Sequence, residues 1–150
     1  MSKENNKQER EQPHTSVMPA IALRGLTIFP NVLIHFEVAR EASVKALEEA
    51  MTAGSPVFLV GQKDIAVEEP EEKDVYTVGT ISNIRQILRM PGDNVRVMVE
   101  GQTRGRLMGM VRTKPYLEAE VLEIQTLSPV RVTARTEALM RRAYELFERY

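Results

Sequence analysis

No cysteine occurs anywhere in the 150 residues. That excludes disulfide frameworks, thiolate metal sites and cysteine nucleophiles together, and suits a reducing compartment. Neither sign of charge dominates: 20 Lys and Arg stand against 21 Asp and Glu, a formal net charge of -1. The chain therefore lacks the strong positive field of a dedicated nucleic-acid binder. Long apolar runs are missing too. No stretch approaches the roughly 20 residues of a membrane span, and the N-terminal SKENNKQEREQPHTS has no apolar core of the signal-peptide kind. A soluble cytoplasmic protein is the expectation. What is present, 43% hydrophobic and 27% charged residues, is ordinary for a globular domain long enough to bury a core without metal or disulfide.

Residues 1–16 are polar and aperiodic, too poor in apolar surface to offset the entropy of ordering, and are expected to form a disordered tail. From Val17 short apolar runs begin, punctuated by Gly, Pro and Asn: VMPAIALR, LTIFP, LIHFEV. In the last, Ile34, Phe36 and Val38 alternate with Leu33, His35 and Glu37, the period of a strand. The period then changes. In REASVKALEEAMTAG, Val44, Leu47 and Met51, flanked by Ala46 and Ala50, mark an amphipathic helix that Gly54 and Pro56 stop. VFLVG reads as a buried strand and the acidic stretch 64–74, with Pro70, as a solvated loop. VYTVGTISNIRQILRM and NVRVMVEG, joined through Pro91, Gly92 and Asp93, read as a hairpin. RGRLMGMVR and YLEAEVLEI add strands, for about six to eight around one helix. Residues 128–150 return to helical spacing, with Leu139, Ala143, Leu146, Phe147 and Tyr150 on an apolar stripe still running where the chain ends. That pattern suggests a truncated helical segment.

Motifs for chemistry are scarce. GQTRGRLMG carries Gly101, Gly105 and Gly109 but neither a Lys-Ser or Lys-Thr pair nor a following helix, so glycines at strand bends outweigh a phosphate loop. His14 and His35 lie far apart and form no metal pair. His35 reads as a half-buried strand residue. None of Ser43, Ser55, Ser82 and Ser128 sits in a nucleophile elbow, and the carboxylates of Glu68, Glu69, Glu71, Glu72 and Asp74 read as a solvated charge run. One contest is closer. Residues 85–114 hold Arg85, Arg89, Arg96, Arg104, Arg106, Arg112 and Lys114 against Asp93 and Glu100, which could face a polyanion. Aromatic stacking platforms are missing there, however, and basic residues between valines also keep strand edges from pairing, the reading preferred.

Taken in order, LRGLTIFPN, the helix ending in LEEAM, VGTISNI and RMPGDNVRVMVEG resemble the N-terminal domain of Lon-type ATP-dependent proteases, closely over 18–101 and more loosely to residue 150. The resemblance implies an α+β fold: a PUA-like β-rich pseudo-barrel with one packed helix, followed by the start of a helical segment. It divides the chain into a tail (1–16), a substrate-recognition domain (17–127) and a truncated helical part (128–150). It also implies a cytoplasmic, homohexameric parent with an AAA+ ATPase using ATP and magnesium and a protease with a Ser-Lys dyad. None of that machinery lies in this chain, which is expected to hold no catalytic residue, cofactor or metal. Its role would be to help select misfolded, damaged and certain regulatory proteins, with no membrane partner.

Unfolded substrates offer exposed apolar side chains rather than one shape, so a recogniser suits a pliable apolar groove. Leu26, Ile28, Phe29, Pro30, Met90 and Met98 are the candidates, although core packing is the stronger reading for Ile28. The alternative is a stand-alone PUA-like domain binding RNA or another polyanion through residues 85–114. A purely structural oligomerisation domain is a third reading.

Overall fold

The structure, a computed structural model, describes residues 14–124 and 133–150. Six strands, β1 (Thr15–Leu23), β2 (Leu33–Val38), β3 (Val57–Gly61), β4 (Val78–Arg89), β5 (Val95–Arg112) and β6 (Leu117–Ile124), accompany two helices, α1 (Glu41–Ala53) and α2 (Ala134–Arg149). The sheet order is β2-β5-β4-β3-β1-β6, and β5 pairs with β6 as well. Five strands thus close into a pseudo-barrel, and β2 adds to the first half of β5. Among the described residues only β1 and β3 pair in parallel, across the crossover that contains α1.

The expected hairpin is β4–β5, but NVRVMVEG and RGRLMGMVR are one strand of 18 residues rather than two. Its first half pairs with β2 and its second, from Arg104, with β6. Register shifts at Ile81/Ser82 and Ile84/Gln86 bend the ribbon without breaking it, which is what a bulge does.

The unbroken apolar runs of β1 and β3 have a direct cause. Ile21, Leu23, Val57 and Leu59 enter one core cluster, while Met18, Ala20, Ala22, Phe58 and Val60 enter a second. Strands buried on both faces cannot alternate with polar residues.

Helix α1 forms as expected and ends at Gly54, whose φ of 65° suits glycine. Its buried face differs from the expected stripe. Ser43, Ala46, Leu47 and Ala50 face inward, whereas Met51 is exposed; the small alanines allow the helix to lie close on the sheet. The acidic stretch is also more tightly held than a solvated loop. Pro70 is buried, and the Val67 carbonyl accepts from Gln62 Nε2 at 2.6 Å, Arg40 Nη2 at 3.1 Å and Arg24 Nη2 at 3.3 Å.

Thr15 and Ser16, assigned to the tail, are strand residues paired with Leu122 and Val121. Residues 1–13 of that assignment lie outside the described residues, as do 125–132 of the linking segment. Helix α2 starts behind a Thr133 hydroxyl that accepts from the Thr136 N–H, and none of its residues is buried. Among the described residues no helix is long and apolar enough to cross a membrane.

Candidate functional site

The LTIFP run occupies a loop bracketed by two left-handed positions, Gly25 (φ 65°) and Asn31 (φ 63°), residues that tolerate that region. Inside it Ile28 is 3% exposed and Leu26 packs against the same core cluster. Three hydrogen bonds fix the backbone. The buried Thr80 hydroxyl donates to the Ile28 carbonyl at 2.5 Å, the Asn31 N–H to the Gly101 carbonyl at 2.8 Å, and the Gly101 N–H to the Val32 carbonyl at 2.9 Å. With Ile28 anchored inward, Phe29 is turned out. It is 52% exposed, and the Arg104 guanidinium lies 5.6 Å from its ring centroid, within cation–π range.

Thr80→Val tests this clamp. It keeps the shape of the side chain and removes the donor, leaving a buried carbonyl short of a partner at a cost of about 1–3 kcal/mol. Melting should fall by several degrees. An unchanged melting temperature would show that the bond does not hold the loop.

Directly opposed residues of antiparallel strands share a face. His35 and Gln86 both oppose Met98, Leu33 opposes Glu100, and Leu88 opposes Arg96. Leu33, Met98 and Leu88 therefore stand on one outer face of β2, β5 and β4. Leu33 is 60% exposed, Leu88 is exposed and Met98 is half-buried. Val32, also exposed, joins this face to the Phe29 loop along the chain.

The structure thus separates the six sequence candidates. Phe29 is presented to solvent, Pro30 and Met98 are partly so, and Met90 is half-buried at the far end of the hairpin, its N–H on the Asn94 carbonyl at 3.0 Å. Ile28 is core and is withdrawn as a contact residue, and Leu26 is largely occupied by packing. Sequence reasoning missed Val32, Leu33 and Leu88. For Leu33 the signal was present: it is an apolar residue at the polar parity of a strand whose Ile34, Phe36 and Val38 face the core. His35, expected to be half-buried, is exposed by the same parity.

The basic stretch is largely neutralised by facing carboxylates. Arg96 pairs with Glu37 at 3.0 Å, Arg112 with Glu118 at 3.8 Å, Arg85 with Glu100 and Arg89 with Glu48. These are exposed pairs of small energetic weight, but they answer most of the positive charge. Edge protection, the preferred sequence reading, fits Arg85, Arg89 and Arg112, since β4 beyond Ser82 pairs with β5 alone and the last residues of β5 with β6 alone, whereas Arg96 and Arg104 lie between two paired neighbours.

A family model described as the ATP-dependent protease La (LON) substrate-binding domain matches residues 17–150. The chain belongs to this family. It is 50% identical over 109 residues to the Lon protease of Clostridium acetobutylicum, covering 73% of this chain and 14% of that one. It is 40% identical over 146 residues to the Lon protease of Clostridioides difficile, covering 93% of this chain and 19% of that one. The chain therefore spans less than a fifth of the length of these relatives.

Two solved structures share the fold. The N-terminal domain of Mycobacterium avium complex Lon protease superimposes with a TM-score of 0.63 at 16% identity, over 89% of this chain and 73% of that one. The Lon N-terminal domain protein from Xanthomonas campestris gives 0.67 at 14% identity, over 88% and 73%. The α+β pseudo-barrel with one packed helix is thus the architecture of LON N-terminal domains. Nothing in these comparisons supports the RNA-binding alternative for this LON substrate-binding domain.

Proposed function

We infer that this LON substrate-binding domain captures unfolded polypeptide on the apolar surface formed by Phe29, Val32, Leu33 and Met98, on behalf of an ATP-dependent protease that degrades misfolded, damaged and selected regulatory proteins. The observation that carries this reading is the anchored loop: Ile28 and three backbone hydrogen bonds hold Phe29 outward. A large apolar side chain kept in water by its own scaffold is a poised contact. Ion-paired charges around Met98 would supply a polar rim without competing for it.

Single contacts on such a surface are modest, on the order of 1–2 kcal/mol each, so the isolated domain should bind with micromolar or weaker affinity. In a homohexamer, several copies would raise the effective concentration. ATP and magnesium would serve the ATPase portion of such a protein rather than this domain.

The test is Phe29→Ser and Met98→Ser, singly and together, in variants whose melting is intact. Each should weaken binding of a denatured protein roughly five- to tenfold, the ratio that 1–1.4 kcal/mol produces. Binding to the same protein in its native form should stay negligible. Full affinity in the folded double variant would remove these residues from the surface, and a preference for native protein would overturn the mechanism.

A further inference from the structure

Beyond Ser82, β4 pairs with β5 alone among the described residues, and so does β2 along its whole length. The two edges are treated differently. The β4 edge is blunted in ways that keep a strand from recruiting another chain: it bulges at Arg85, and Arg89 is tied across to Glu48 of α1. The β2 edge carries none of these devices. It holds no lysine, arginine or proline, and its register with β5 runs unbroken from Leu33 to Val38. Its Glu37 carboxylate is taken by Arg96.

Which backbone groups face outward follows from the ladder. At one end of the pairing the Gly101 N–H donates to the Val32 carbonyl at 2.9 Å, and beyond the other end the Met90 N–H donates to the Asn94 carbonyl at 3.0 Å. Bonded and non-bonded pairs alternate in an antiparallel ladder, so both marks give the same parity. Ile34, Phe36 and Val38 bond to β5, while the N–H and C=O groups of Leu33, His35 and Glu37 point away from it. Among the described residues none of these outward groups has another backbone partner. The apolar side chains beside them are also incompletely covered: Ile34 and Phe36 pack on the core cluster yet are only half-buried.

We propose that the open edge of β2 takes up an extended segment of unfolded polypeptide as an added strand. The segment would bond to the outward groups of Leu33, His35 and Glu37, and its core-side residues would cover Ile34 and Phe36. The proposal rests on the reading of the domain as a polypeptide binder and adds recognition of the main chain to it. A folded protein has its backbone groups already paired, so an edge of this kind accepts only chain that is unfolded or locally opened. A second copy of β2 fits the edge less well. In the antiparallel register that uses all the outward residues, each Leu33 would face a Glu37 and His35 would face His35.

The experiment titrates the 150-residue chain with a labelled peptide of alternating threonine and valine, carrying a lysine at each end. Two analogues are N-methylated, one at the threonines and one at the valines. Alternate residues of a strand offer their N–H groups to opposite edges, so one analogue should bind about tenfold or more weakly and the other within about twofold of the parent peptide. Saturating peptide should slow amide exchange at Leu33, His35 and Glu37, leaving Ile34 and Phe36 as they were. His35→Pro removes an outward donor without taking a bond from β5, and a strand edge tolerates proline there; it should weaken the parent peptide about tenfold. The analogues and the exchange measurement use the parent chain, so they decide the matter even where the proline variant melts early. Equal effects of the two methylation patterns, or no added protection at the three outward amides, overturn the proposal. So does protection there that grows with protein concentration in the absence of peptide, which would give the edge to a second copy. Failure of the apolar-surface reading is separate, because Phe29→Ser and Met98→Ser leave the ratio between the two analogues unchanged.

Discussion

Gly101→Val should lower the melting temperature by about 10–20 °C and release the Phe29 loop. A Cβ at residue 101 would fall inside contact distance of the Phe29 carbonyl oxygen, 3.0 Å from its carbon and 3.3 Å from Pro30 Cα. All three atoms are backbone, so no rotamer change relieves the overlap. Either the core accepts overpacking, at about 1–3 kcal/mol, or the loop lifts away. Lifting would sacrifice the bonds from Thr80, Asn31 and Gly101, each contributing about 0.5–1.5 kcal/mol, together with the burial of Ile28. Lifting leads to roughly 3–5 kcal/mol and, through the size scaling of melting entropy, to the stated shift, whereas overpacking alone would give a smaller one. Amide exchange at Val32 and Gly101 distinguishes them, since only lifting exposes these N–H groups. A Gly101→Val variant that melts within about 2 °C of the parent would mean that the loop does not need this close approach.

The strands, the hairpin and α1 were legible because each follows a local period: alternation in Ile34, Phe36 and Val38, helical spacing around Leu47, a stop at Gly54. What the sequence concealed is non-local. Core packing is already the stronger reading for Ile28 from sequence, but no local pattern shows that Phe29 beside it is held outward, because that depends on a hydroxyl at Thr80 and a missing side chain at Gly101. The same holds for the basic stretch. Arg85, Arg89 and Arg96 look like an unanswered patch until β2, α1 and β5 bring Glu37, Glu48 and Glu100 beside them.

Phe58→Ala should cost about 3–5 kcal/mol, the usual range for deleting a fully buried phenylalanine, and Phe58 is 0% exposed. The ring lies in a slot whose walls are glycines. A Cβ at Gly79 would stand 2.7 Å from Phe58 Cζ and 2.8 Å from Cε2, and one at Gly105 would stand 3.2 Å from Cε2. These glycines therefore fit β4 and β5 around β3, explaining why GQTRGRLMG looks like a phosphate loop while serving as strand. The slot also makes a sharper prediction. At Gly79 the added methyl meets the Leu59 carbonyl oxygen at 2.5 Å as well as the ring. Shrinking the ring should therefore rescue Gly79→Ala only in part. In a double-mutant cycle, Phe58→Leu and Gly79→Ala should couple favourably by about 0.5–2 kcal/mol, within the range for residues in contact, yet the double variant should stay well below Phe58→Leu alone. Additive losses would show that the ring and the added methyl do not compete. Recovery to the stability of Phe58→Leu would show that the backbone of β3 yields, so that the aromatic ring alone requires glycine at this crossing.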